Sequence, residues 1–185
     1  MISLINKNKL IIGKSQQKTI LAIFVVGLFT FLLVKNYRPV YEIKDQLFAQ
    51  YYTPYILNKN FKTNYIVDDK LQSVARLHDD GKYCEAFNLL VTLNQDKIDS
   101  SLVSFIYGHI YMGMNNYENS NSAFTGVIYS SNDNLADDAH WYRGLSLLKC
   151  GYIKEAQEDF ELLCKNDTIY KDKALDILSR MVLKS

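Results

Sequence analysis

Large and small positions alternate through the middle of this chain on a spacing that recurs. In residues 101–134, Tyr107, Gly108 and Tyr111 are followed by Tyr117, Ser120 and Phe124, which predicts two helices joined by a tight turn. About 34 residues earlier, Gly81, Tyr83, Ala86, Leu90 and Leu93 occupy the turn and second-helix positions, with Val74 where the first helix has its glycine. Downstream, Gly144, Leu147, Gly151, Ala156, Phe160 and Leu163 fit the template after a shift of about two residues, which the polar stretch 130–134 absorbs as loop. In residues 168–183, Ile169, Ala174, Ile177, Leu178 and Met181 recur at helical spacing, while Lys171, Asp172, Lys173 and Arg180 point elsewhere.

Each slot has a steric reason. Gly108, Gly144, Ala86, Ser120 and Ala156 stand where paired helices cross, and only a small side chain lets two backbones approach. Tyr107, Tyr111, Phe124, Leu147 and Phe160 fill the space around them. Over residues 67–166 this pattern resembles the tetratricopeptide repeat family. The resemblance implies an all-α solenoid of helix-turn-helix units at about 67–100, 101–134 and 137–166, closed by a capping helix at 168–183 with a polar outer face. Together these make a repeat domain over 67–185.

A second pattern lies near the N-terminus. Residues 19–34 carry no charge and are rich in Ile, Leu, Val and Phe, with Lys14 and Lys18 before them and Lys35 and Arg38 after. Read as a helix the run is about 24 Å long, short of the roughly 30 Å of a bilayer core, a gap that snorkelling lysines would close. The expectation is a single transmembrane helix at 19–35, behind a basic tail at 1–18. A cleaved signal peptide is the competing reading, but Lys35, Asn36, Tyr37, Arg38 and Pro39 offer no small-x-small site, so an uncleaved signal anchor is expected. Four lysines precede the run, and Lys35, Arg38 and Lys44 follow it. That bias places the N-terminus in the cytoplasm and the repeat domain in the periplasm, anchored single-pass in the inner membrane, the alternative being a cytoplasmic repeat domain.

Between run and repeats, residues 36–66 hold Tyr37, Tyr41, Phe48, Tyr51, Tyr52, Tyr55, Phe61 and Tyr65, too many aromatics for a flexible linker. This juxtamembrane segment also holds the chain's two prolines, Pro39 and Pro54. A short helix at 42–52 and then an irregular stretch packed on the first repeat are expected. A basic tail, one span, a Tyr-Tyr-Thr-Pro-Tyr element and repeats resemble small membrane-anchored repeat proteins of the Bacteroidota.

Charge and chemistry narrow the function by exclusion. With 21 basic and 20 acidic residues scattered through 185, no nucleic-acid footprint appears. Cys84, Cys150 and Cys164 are expected to be small buried side chains rather than a disulfide framework. There is no Gly-rich phosphate loop, His-Glu-x-x-His, Cys-x-x-Cys or Gly-x-Ser-x-Gly, so no enzyme, cofactor or small-molecule substrate is expected. Asp137, Asp138 and His140 suggest a metal site by proximity, but two acids opening a helix complement its dipole, and no metal is expected.

What remains is the groove. Carried over from the resemblance, its inner wall comprises Leu71, Gln72, Ala75 and His78, then Phe105, His109 and Met112, then Trp141, Tyr142, Leu145 and Leu148. Gln72, His78, Phe105, His109, Met112, Trp141 and Tyr142 are the candidate partner-binding residues, with packing between units as the alternative role for the two aromatics on the third unit. The Lys, Asn and Arg clamp with which some members of the family grip C-terminal carboxylates is absent, so an apolar or aromatic peptide or helix of another protein fits better. The expected function is a membrane-anchored protein-binding or assembly scaffold. The alternatives are a cytoplasm-facing import-type receptor and a structural subunit of a membrane complex.

Overall fold

The computed structural model describes residues 14–61, 69–93, 98–130 and 133–182. The chain divides into two compact units, Met1–Pro39 and Val40–Ser185. Helix α1 (Lys14–Tyr51) begins in the first. There, every described side chain from Lys18 to Leu32 is exposed, including Ile20, Phe24 and Phe29.

The transmembrane expectation is corrected here: among the described residues, no helix is long and apolar enough to cross a membrane. Length is the physical reason. A helical residue rises about 1.5 Å, so a charge-free run of about 16 residues falls short of the roughly 20 that a bilayer core demands. The signal-anchor expectation falls with it.

Among the described residues, the second unit contains the end of α1, a 3-10 turn at Asp133–Leu135 and eight further α-helices: α2 (Leu57–Phe61), α3 (Asp69–Asp79), α4 (Tyr83–Val91), α5 (Ser100–Gly113), α6 (Tyr117–Ile128), α7 (Ala136–Cys150), α8 (Ile153–Lys165) and α9 (Lys171–Val182). No strand occurs among the described residues. From α3 onward each helix packs on the next in sequence. The helix expected at 42–52 is the last part of α1, which stops at Tyr51 because Pro54 disfavours helical backbone just ahead of it.

Three helix pairs share one turn. Gly81, Asn115 and Gly151 take left-handed backbone at φ 76°, 58° and 86°. In each case the following amide reaches back to a carbonyl five residues earlier, Lys82 to Leu77 at 2.8 Å, Asn116 to Tyr111 at 2.8 Å and Tyr152 to Leu147 at 2.9 Å. That pair of features is a Schellman closure, which satisfies the carbonyls a helix end leaves open. The second helix then starts two residues on, at Tyr83, Tyr117 and Ile153.

The crossings recur as well. A Cβ on Gly108 would lie 2.6 Å from the Phe124 ring, and one on Gly144 would lie 2.8 Å from the Phe160 ring. Each glycine stands sixteen positions ahead of its ring. Val74 and Leu90 hold the same relation in the first pair, both fully buried, a medium residue in each slot instead of small and large. At the other end α9 buries Ala174 and Ile177 near α8, with Tyr170 buried just ahead of it, whereas Ile169 lies outside the helix and is 87% exposed, contrary to its expected apolar role. The cysteines are unpaired and less buried than expected, since Cys84 is exposed and Cys150 and Cys164 are half-buried.

Candidate functional site

First helices of the three pairs carry the wall residues. Helical spacing aligns Phe105, His109 and Met112 along one side of α5, and α7 adds Trp141, Tyr142, Leu145 and Leu148. All are buried, Phe105, His109, Met112 and Trp141 to 2% exposure or less. His78, at the end of α3, is buried with its ring centroid 6.2 Å from that of His109. His109 in turn meets Phe105 at 4.5 Å, Phe124 at 5.0 Å and Tyr142 at 4.5 Å, each edge to face. Gln72 takes a different role, its amide oxygen accepting from Arg76 at 2.7 Å one turn along α3.

The wall is covered by the chain's own aromatic segment. Tyr55 stacks flat on His109 at 4.6 Å and turns its face or edge to Phe105 at 5.2 Å and Tyr142 at 5.8 Å. The Tyr142 hydroxyl donates to the Thr53 carbonyl at 3.0 Å. Tyr51 meets Trp141 edge-on at 6.3 Å, and Trp141 stacks on Tyr170 at 4.8 Å.

Polar groups hold both ends of this cover. Asp79 accepts the amides of Leu57 and Asn58, each at 2.9 Å, and so caps α2 from the end of α3. Upstream, the buried Lys44 ammonium donates to the Lys149 carbonyl at 3.1 Å, where the C-terminal carbonyls of α7 favour a cation. Asp45 pairs with Lys149 at 2.6 Å, Arg180 donates to Gln50 at 2.6 Å, and the Tyr51 hydroxyl bonds to Asp176. Asp138 receives hydroxyls from Tyr170 and Tyr55.

Sequence reasoning missed Asp79, Lys149 and Asp176, and gave Asp138 only a place at a helix start. Each reads locally as a helix-end or surface residue, and the only signal for their partners was the aromatic density of 36–66. It also missed an ion cluster within the third pair, which reaches the second through Thr125. Asp159, 2% exposed, accepts from Arg143 at 2.8 and 2.6 Å and faces His140 Nδ1 at 2.7 Å, while Arg143 also donates to Thr125 at 3.2 Å.

Burial sets the electrostatics. It pushes His109 well below the ordinary histidine pKa, with His78 adding repulsion. His78 is lowered by burial too, against the pull of Asp79 and a hydrogen bond with the main chain of His109. Burial raises Asp138 despite its hydroxyl partners, and pushes the Tyr52 phenol up to about 12. Among the described residues no three His, Cys, Asp or Glu side chains are grouped to hold a metal ion. Asp138 and His140 are turned to different partners, the hydroxyls of Tyr170 and Tyr55 for one and Asp159 for the other.

The arrangement is suited to holding a polypeptide segment. It offers ring faces to aromatic side chains, a hydroxyl to a main-chain carbonyl and a carboxylate to main-chain amides. No protein-family model, curated protein or solved structure matches this chain.

Proposed function

We propose that this chain is a protein-binding module of the tetratricopeptide type, whose inner wall seats an aromatic segment of a partner and holds its own residues 51–57 there in the meantime. The observation that carries the reading is the packing of Tyr55 on His109, Phe105 and Tyr142, with Thr53 held through its main chain. Those contacts use ring faces and backbone groups, which another chain supplies as readily as this one. Of the wall's buried titratable groups, His109 and Tyr142 meet the cover and His78 meets Asp79, an arrangement for recognition and not for turnover.

Tethering sets the magnitudes. A segment joined by a short linker competes at an effective concentration on the order of millimolar, so a free peptide of the same sequence cannot displace it at micromolar levels. A fluorescein-labelled peptide with the sequence of residues 48–58 is therefore expected to leave the wild-type chain unbound. It is expected to bind the full chain carrying Tyr51→Ala and Tyr55→Ala, as read by anisotropy at pH 7.5. An opened variant that keeps its helical circular dichroism and still ignores the peptide would sink the proposal.

A second reading has Trp141 in its favour, since it lies between Phe160 and Tyr170 as a core residue does. There the segment is a permanent part of the core. Unfolding of the opened variant would select it.

A further inference from the structure

His109 combines three properties, of which the binding role requires only its contact with Tyr55. Its ring is 2% exposed, it lies flat beneath Tyr55 of the cover, and its Nε2 has no hydrogen-bond partner among the described residues. A buried polar atom without a partner costs stability, and a histidine that gains a proton there would hold a buried charge. We infer that His109 is an acid-sensitive latch, whose protonation releases residues 51–58 from the wall. The inference rests on reading the wall as a seat that its cover can leave.

Neighbouring groups leave that proton without a counter-charge. From α3 come His78 and Asp79, and Asp79 is already engaged with His78 and the amides of Leu57 and Asn58. From α4 comes Tyr83, edge-on to His78 at 5.4 Å. From α6 comes the Phe124 ring, and from α7 come Tyr142, bonded to Thr53, and Asp138, bonded to Tyr170 and Tyr55. From the cover comes Tyr55 itself.

The sign follows from linkage. In the closed state burial holds His109 neutral, well below its ordinary value, whereas a ring exposed by opening titrates near the usual value of about 6.5. The open state therefore binds the extra proton as pH falls below that value, and closure weakens by up to about tenfold per pH unit for each such histidine. His78, also lowered, acts in the same direction. Asp138 acts in the opposite direction, since burial raises its closed-state pKa. Asp138 is common to the wild type and a His109 variant, so a comparison of the two isolates the histidine's share.

The test is hydrogen exchange of the Leu57 and Asn58 amides in the full chain, at several pH values from 7.5 to 5. Rates are divided by those of the free 48–58 peptide at the same pH, which removes the chemical pH dependence. Protection of these amides in the wild type is expected to fall below pH 6.5, by up to about tenfold more per pH unit than in His109→Gln, while amides of α8 keep theirs. His109→Phe serves as the second non-titrating variant if the glutamine disturbs folding, because it retains a ring against Tyr55. Equal slopes in wild type and variant, or protection in the wild type that ignores pH, would overturn the latch. Peptide capture at pH 7.5 is a separate readout, so its failure alongside an intact slope removes the binding role and leaves the latch.

Discussion

Gly144 and Gly126 are both helical glycines, and the structure assigns them opposite responses to the same substitution. A Cβ on Gly126 meets nothing nearer than Ser104 Oγ at 3.5 Å, so Gly126→Ala is expected to gain up to about 1 kcal/mol from helix propensity. At Gly144 the methyl would press on Phe160, which is fully buried and has no space to retreat into. Overpacking outweighs propensity there, and Gly144→Ala is expected to cost about 1–3 kcal/mol in denaturant melts. Trp141→Ala is expected to cost about as much as Phe160→Ala, roughly 3–5 kcal/mol, because both are buried and in ring contact with each other. Asp159→Asn leaves Arg143 and His140 facing a neutral amide in a closed space, and a melt is expected to show a loss of about 3–5 kcal/mol. The glycine and phenylalanine roles were legible in the sequence because small against large at a fixed spacing has one steric meaning. Trp141 was not, since an aromatic on the inner side of a first helix has the same spacing whether it faces a partner, its own chain or the core.

At the scale of elements, the pairs and turns follow from local chemistry, and the segment between α1 and α2 does not. Gly81 and Gly151 mark two of the three turns in the sequence, while Asn115 fills the same left-handed slot as the other residue that tolerates it. Aromatic density in 36–66 excluded a loose linker, but nothing local to Tyr51 or Tyr55 names His109 or Trp141 as neighbours. That information is spread over helices far along the chain. The apolar run at 19–34 was misread for a related reason, a composition suited to a bilayer carried by too short a stretch. Removal of the cover tests its weight. A fragment beginning at Val40 is expected to melt cooperatively, because it retains the whole second unit. One beginning at Asn58 loses Leu47, Phe48 and Leu57, each worth about 1.5–3 kcal/mol when buried, and is expected to melt well below the first or to aggregate. Equal melting of the two by circular dichroism would mean that the cover adds nothing to the fold.

For the molecule as a whole, the order of helices and their pairing could be read from periodicity, whereas the state of the groove could not. Repeat spacing says that a wall exists and is silent on what lies against it. The wall is closed by the chain's own aromatic segment, and the only tryptophan of the sequence stands at that contact. Acrylamide quenching of Trp141 fluorescence in the full chain at pH 7.5 measures the closure most directly. Trp141 is expected to be strongly shielded in the wild type, with a quenching constant several-fold higher in the Tyr51→Ala, Tyr55→Ala chain and its helical signal unchanged. A wild-type Trp141 quenched as freely as N-acetyltryptophanamide would contradict it.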